Sequence, residues 1–284
     1  MRTRRFLLLG VVTAVALLGA ACGGAGDGTD VNGGATPDQS PEAAFETIEE
    51  GVLTVGSDIP FPPFEFREGG ELTGFDVELM EEMATRMGIP EVSWVDTAFD
   101  TIFTQLAGGR FDMVASATTI TEERAQTVNF TIPYYEAQQA VTINAEETPD
   151  IQSVDDLGEG DTVAVQRGTT GEAWAQENLE PEGVTIRSFP EAPDTYTALE
   201  AGQVTAVIFD EPSAVEEAEA REALEVVDTI DTDEEYGFPV DPQNEELLEA
   251  ANEALQEMID DGTYQQIYEK YFPEAPAGSV AEEE

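Results

Sequence analysis

Histidine is missing altogether from the 284 residues, cysteine occurs once, and Lys270 is the one lysine. Without imidazole there is no Ser-His or Cys-His nucleophile and no histidine metal site. Catalysis would fall to carboxylates, Lys270, tyrosines or hydroxyls. A single cysteine, Cys22, allows no disulfide within the chain, so stability has to come from packed cores. Cations are scarce as well: 11 Lys and Arg face 61 Asp and Glu, a formal net charge of −50. Such a surface repels nucleic acid and anionic membranes, and neither is expected as a partner. The acids are spread along the chain among apolar residues, which reads as a solvated surface adapted to high salt, where screening removes self-repulsion. After Cys22 no apolar run is long enough to span a bilayer.

What is present begins with an export segment. "MRTRR" is a basic start, "FLLLGVVTAVALLG" is apolar, and "AAC" supplies small residues at a cleavage site, so residues 1–21 read as a signal peptide. The arrangement resembles a bacterial lipoprotein signal, in which the cysteine after the cut, here Cys22, carries the lipid; Gly19 stands where leucine is usual. That resemblance implies an extracytoplasmic protein held to the outer face of the cell membrane through its lipid alone. Residues 22–50, rich in Gly, Asp and Pro, read as a flexible stalk, and residues 274–284, "EAPAGSVAEEE", as a disordered acidic tail.

Between them strands and helices alternate. "VLTVGSD" (52–58) reads as a buried strand, and "FDVELMEEMATRMG" (75–88) as a helix with Phe75, Leu79, Met80, Met83 and Met87 on one side. "VSWV" is a strand, "FDTIFTQLAGG" a helix burying Phe99, Ile102, Phe103 and Leu106, and "FDMVASA" a strand. The cycle restarts with strands at "DTVAVQ", "VTIRSF", "VTAVIFD" and "ALEVVDT", and helices at "TTGEAWAQENL", "PDTYTALEAG" and "EPSAVEEAEA". Two last helices, "NEELLEAANEALQEMIDDG" and "TYQQIYEKYF", carry a stripe of Leu247, Leu248, Ala251, Leu255 and Ile259 that calls for a sheet to cover. The order argues α/β with parallel-rich sheets.

One stretch does not fit local chemistry. In "ASATTITEER" (115–124), Thr121 looks like a helix N-cap, with Glu122 and Glu123 suited to the first turn. Arg124 sits in that same turn, where a cation is disfavoured, in a chain with few cations to spare.

"GFDVELMEEMATRMG" (74–88), "FDMVASATTITEERAQTVNFTIPYY" (111–135), "VAVQRGTTGEAW", "VTAVIFDEP" and "YGFPVDPQNEELLEAANEALQEMIDDGTYQQIYEKYF" follow one another in an order and spacing that resemble the family 3 extracellular solute-binding proteins, the polar amino-acid receptors of bacterial import systems. The resemblance covers about residues 50–273. It implies a two-lobed clamp of the periplasmic-binding-protein type II, monomeric, with no cofactor or metal, which closes on an amino acid and is recognised by an ABC permease. Lobe 1 would be residues 51–138 plus 239–273 and lobe 2 residues 144–233, with two crossing strands near "AVTI" and "YGFPV" as the hinge. "DTDEE" (231–235) then reads as a solvated hinge segment rather than a calcium loop, since it lacks the glycine and the spaced final glutamate.

The resemblance also distributes roles. Arg124 would grip the ligand's α-carboxylate with a planar guanidinium, helped by Thr119, the backbone at Ala117 and, less centrally, Ser116; Thr118 is given none. Asp210 would take the α-ammonium. The helix opening at "GTTG" would offer its first amides at Thr169 and Thr170. Phe61 and Phe99 would flank the side chain, and Asp58 would read its distal end, favouring an amine, guanidinium or amide tip. Gln166 stands where relatives carry a ligand-contacting lysine or leucine, and its role stays open. The expected function is capture of a glutamine-like or basic amino acid. The alternatives are a receptor for an ectoine-type compatible solute, which should want a third aromatic wall, and a cyclohexadienyl-dehydratase-like enzyme, which would need a further carboxylate free for acid–base work.

Overall fold

The computed structural model describes residues 45–273. The segments read above as signal peptide, lipid-bearing Cys22, stalk up to residue 44 and acidic tail lie outside the described residues.

Strand β1 (Val52–Ser57) opens the fold, followed by a hairpin of β2 (Phe66–Glu68) and β3 (Glu71–Thr73). Helix α1 (Phe75–Arg86), β4 (Glu91–Asp96), α2 (Phe99–Ala107), β5 (Met113–Val114) and β6 (Asn129–Phe130) come next. Then follow β7 (Tyr135–Asn144), β8 (Thr162–Gln166), α3 (Thr170–Asn178), β9 (Thr185–Phe189), α4 (Ala192–Glu200), β10 (Ala206–Asp210) and α5 (Glu211–Ala220). The chain closes with β11 (Leu224–Tyr236), β12 (Pro239–Val240), α6 (Glu245–Asp261) and α7 (Thr263–Tyr271). No helix among the described residues is long and apolar enough to cross a membrane.

Two five-stranded sheets result, ordered β4-β1-β5-β12-β6 and β11-β7-β10-β8-β9. In each, the strands joined through helices run parallel, β1 with β4 and β5, and β8 with β9 and β10, as helical crossovers require. The remaining pairings, β12 with β5 and β6 in the first sheet and β7 with β10 and β11 in the second, are antiparallel. The chain passes from the first sheet to the second between β6 and β7 and returns between β11 and β12. There Tyr134 N–H donates to Tyr236 O at 2.8 Å, Thr131 N–H to Phe238 O at 3.0 Å, and Ile120 N–H to Glu235 O at 2.8 Å. The Tyr134 and Phe238 rings stack at 4.1 Å.

Several sequence expectations need correction. "ALEVVDT" is only the start of β11, which runs on through "DTDEE" to Tyr236. Polar alternation hides this strand; its ladder to β7 holds it, with register shifts between Val226 and Asp228 and between Ile230 and Glu234. Such bulges re-aim side chains, and Glu234 is turned inward to 8% exposure, so the segment is not uniformly solvated. The helix expected after Thr121 is a single 3-10 turn, Arg124–Gln126, with Glu123 at its N-cap position; Thr121 stands two residues earlier, its Oγ1 accepting from Arg124 N–H at 3.1 Å. "FDMVASA" pairs only at Met113–Val114, because Ala117 departs into the left-handed region at φ 43°. Phe103 is only partly buried. The stripe on α6 rotates to Leu247, Ala251, Ala254, Leu255 and Met258, with Leu248 and Ile259 half-covered, and it packs chiefly on α1 and α7 rather than on a sheet. The last stalk residues are tied down: Ile48 N–H donates to Asp112 Oδ1 at 2.8 Å and Asn244 Nδ2 to Glu46 O at 2.8 Å.

Candidate functional site

A cavity lies between the two sheets at the ends of their parallel strands, the place where α/β sheets hold ligands. It brings together all eleven residues singled out from the sequence: Asp58, Phe61, Phe99, Ser116, Ala117, Thr119 and Arg124 from the first half, Gln166, Thr169, Thr170 and Asp210 from the second. One lining residue was not foreseen. Phe209, next to Asp210 on β10, meets Phe61 ring to ring at 5.5 Å and adds a third aromatic. Its place beside Asp210 at the strand's end was the available signal.

Arg124 is anchored without an acid. Its Nη1 donates to Thr119 O at 2.8 Å and its Nη2 to Gly168 O at 3.2 Å. The guanidinium carbon lies 5.3 Å from the Phe99 ring centre and 4.9 Å from that of Phe103, within range of cation–π attraction. Phe103 therefore supports the site from beneath. Four of the described cations, Arg86, Arg167, Arg221 and Lys270, are paired with carboxylates, whereas Arg124 makes no salt bridge among the described residues. Burial draws its pKa down, and Asp210 and Glu234 push it back; arginine stays charged at any ordinary pH. Beside it stands the N-terminus of α3, whose first amides have no partners within the helix. Thr169 is the N-cap there, its Oγ1 accepting from Glu172 N–H at 3.1 Å and donating to Gln166 O at 2.8 Å. Its one hydrogen is thereby committed, so the hydroxyl has none to donate to a ligand.

Asp210 holds the N-cap position of α5 yet makes no cap hydrogen bond. Its carboxylate turns instead to Gln139 Nε2 and Tyr236 OH, each at 2.5 Å. Burial, then the nearby charge of Glu234, pushes its pKa up, against the pull of those hydrogen bonds and Arg124. Gln139, Tyr236 and Glu234 are partners that sequence reasoning missed; no local pattern sets these polar residues apart from solvated ones.

Asp58, buried at the end of β1, accepts from Gln166 Nε2 at 2.6 Å, which joins the two sheets across the cavity. Burial pushes its carboxyl up to about 7, and the charges of Glu191 and Asp96 add to the rise, while the Gln166 hydrogen bond opposes it. Ser116 Oγ accepts from Asp58 N–H at 3.1 Å and donates to Glu65 Oε1 at 3.0 Å, and Ala117 N–H donates to Asp76 Oδ2 at 2.9 Å. Two wholly buried acids thus shape the loop below the cavity, with Tyr134 OH donating to Asp76 Oδ1 at 2.8 Å.

The family model of bacterial extracellular solute-binding proteins, family 3, matches residues 53–274. The L-cystine-binding protein TcyJ of Escherichia coli (strain K12) is 33% identical over 226 residues, covering 79% of this chain and 84% of that protein. An ancestral arginine-binding protein is 37% identical in two structures, both superposing with a TM-score of 0.74. One is bound to arginine, covering 78% of this chain and 98% of that one, and the other to glutamine, covering 80% and 100%. The ancestral amino acid-binding protein AncCDT-1, a precursor of cyclohexadienyl dehydratase, is 38% identical with a TM-score of 0.72, covering 78% of this chain and 96% of its own.

Proposed function

Because the chain belongs to the bacterial extracellular solute-binding proteins of family 3, we propose that it captures a polar amino acid, glutamine-like or basic, outside the cell and delivers it to an ABC permease. The observation that carries the reading is Arg124: in a chain with 61 acids it faces the cavity with no carboxylate partner among the described residues. A carboxylate brought by a ligand would give that guanidinium two parallel hydrogen bonds, beside the amides at the start of α3. Asp210 supplies the counter-charge for an α-ammonium. Asp58, held by Gln166 with Asp96 and Glu191 adding negative potential, supports a donor-bearing tip and favours a basic side chain over an amide.

Lobe 1 is residues 51–138 plus 239–273 and lobe 2 residues 144–233, bridged by the ligand. Contacts made only when both lobes meet it stabilise closure, which is how a ligand shifts a two-state equilibrium. Cys22 carries the lipid that tethers a monomer to the outer face of the membrane. Among the described residues the acids that line the cavity are Asp58 and Asp210, and in this scheme both hold the ligand.

The test is calorimetric titration with the twenty amino acids, ornithine and citrulline in molar salt. One polar amino acid is expected to bind at micromolar concentration or tighter, and Arg124→Ala to abolish that binding with the melting temperature preserved. Retained micromolar binding by the variant overturns the assignment. Phe209 favours one second reading, because it completes an aromatic box with Phe61 and Phe99: an ectoine-type zwitterion held by the same arginine, recognised by heat with ectoine and none with amino acids.

A further inference from the structure

Glu234 does not line the cavity, yet its carboxylate organises one wall of it. Oε2 accepts from Thr119 Oγ1 at 2.7 Å and from Thr170 Oγ1 at 2.8 Å, and Oε1 accepts from Gln139 Nε2 at 3.1 Å. One hydroxyl comes from the loop after β5 and the other from the first turn of α3, so a single oxygen is shared by both sides of the cavity. The β11 bulge makes this reach available: residues 231–233 are left without partners on β7, Asp233 takes φ 48°, and Glu234 is the first residue paired again, opposite Ala137.

A hydroxyl has one hydrogen to give, and a carboxylate has none. Both threonine hydrogens therefore point at Glu234. The two hydroxyl oxygens, 3.5 Å apart, have no hydrogen left for each other or for the cavity they both line. What they present to a ligand is lone pairs. Close by, Gln139 Nε2 ties Glu234 to Asp210, and Asp210 holds one protein donor on each oxygen with acceptor capacity to spare. The wall is thus built of acceptors, which matches the three donors of an ammonium group and mismatches a carboxylate.

We propose that Glu234 is a positioning residue that fixes Thr119 and Thr170 as hydrogen-bond acceptors and so completes, with Asp210, a cradle for the ligand's α-ammonium. This rests on the amino-acid receptor reading above. It gives the Thr170 side chain a task separate from its amide, and it divides the cavity into a carboxylate end at Arg124 and an ammonium end at Glu234. With glutamine at position 234, an amide NH2 stands either where Oε2 receives both threonine hydrogens or where Oε1 receives the Gln139 donor, so either a threonine hydroxyl turns its hydrogen toward the ligand or the Gln139 bridge to Asp210 is broken.

A double-mutant cycle tests it on the full chain by calorimetry, with L-arginine, L-glutamine, L-histidine and L-cystine as probes. For whichever probe the unaltered protein binds, Glu234→Gln and Thr170→Val should each weaken binding by about tenfold, the loss of a charge-assisted contact. The double variant should fall within about twofold of the weaker single one, because both changes remove the same arrangement. Melting temperatures should stay within a few degrees, which a merely structural role for Glu234 would not allow. Binding by Glu234→Gln within about twofold of the unaltered protein, or single losses that multiply in the double variant, overturns the proposal and leaves the receptor reading standing. If the unaltered protein binds none of the four probes, the cycle is run with whichever of the twenty amino acids, ornithine or citrulline it binds; if it binds none of these, both fall. Should Glu234→Gln not fold, Glu234→Asp serves in its place: it withdraws the carboxylate by one methylene, a tenfold loss is again expected, and unaltered affinity is again fatal.

Discussion

Asp58 and Asp210 both hold protons to higher pH than ordinary carboxyls, Asp58 to about 7, and burial is the main cause in each. Only the ionised form of Asp58 attracts a cationic tip. On the receptor reading, affinity for L-arginine should therefore rise with pH until about 7 and flatten above it. Asp210 faces the α-ammonium that every amino acid carries, so its titration affects arginine and glutamine alike. The ratio of their affinities isolates Asp58. It should climb by up to about tenfold per pH unit between about pH 5 and 7 and then level off, and Asp58→Asn should remove the climb. A ratio that stays flat across that range in the unaltered protein rejects Asp58 as the reader of the tip. At this scale the sequence was informative where a residue broke a local rule. Arg124 offends the charge preference of its turn, and Asp210 ends an apolar strand as a bare acid. Glu234 breaks no rule that a sequence displays: it is one acid among 61, and only the bulge in β11 makes it an inward one.

Among the elements, periodicity made α1 and α2 readable because each buries one stripe, and residues three and four apart share a helix face. The same reasoning misjudged α6 by part of a turn, since Ala254 and Met258 join the buried face and α1 and α7, not a sheet, cover it. It passed over Asp76 as well, the buried polar residue on the first turn of α1. The short loop after β5 depends on that residue and on Glu65, both wholly buried with no cation among their hydrogen-bond partners. Burial, then the neighbouring Asp76, pushes Glu65 well above the ordinary carboxylate range, and one of its oxygens has no hydrogen-bond partner. Folded Glu65 keeps its proton where the unfolded chain has released it, so its stabilising effect is complete in acid and is lost as pH rises above the ordinary glutamate value. While only the unfolded chain is ionised, the loss runs at about a kcal/mol per pH unit. Glu65→Gln keeps an acceptor for Ser116 and titrates no proton. Between about pH 5 and 8 its melting temperature should fall by several degrees less than that of the unaltered protein; equal falls would show that Glu65 carries no proton.

For the whole molecule, the dominant physical fact is a net charge of −50 on a fold whose described ion pairs involve only four cations. Exposed ion pairs of that kind contribute little each, and the uncompensated acids repel one another in the folded state more than in the expanded chain. Three clusters of buried apolar residues, a large one running from the first sheet into the second, one within the second and a small one beneath α2, must hold against that repulsion. Added salt should therefore raise the melting temperature, by about 10 °C between dilute buffer and molar NaCl. The shape of the rise separates the cause from general salting-out. Screening takes effect early, because the Debye length has already fallen to about 10 Å at 0.1 M and about 3 Å at 1 M. Most of the gain is expected below about 0.5 M, where NaCl and NaClO4 should act alike. Salting-out instead grows steadily with concentration and depends on the salt chosen. A melting temperature that is highest in dilute buffer, or one that climbs only in proportion to molar salt, refutes the idea that the acidic surface is tuned to a saline exterior.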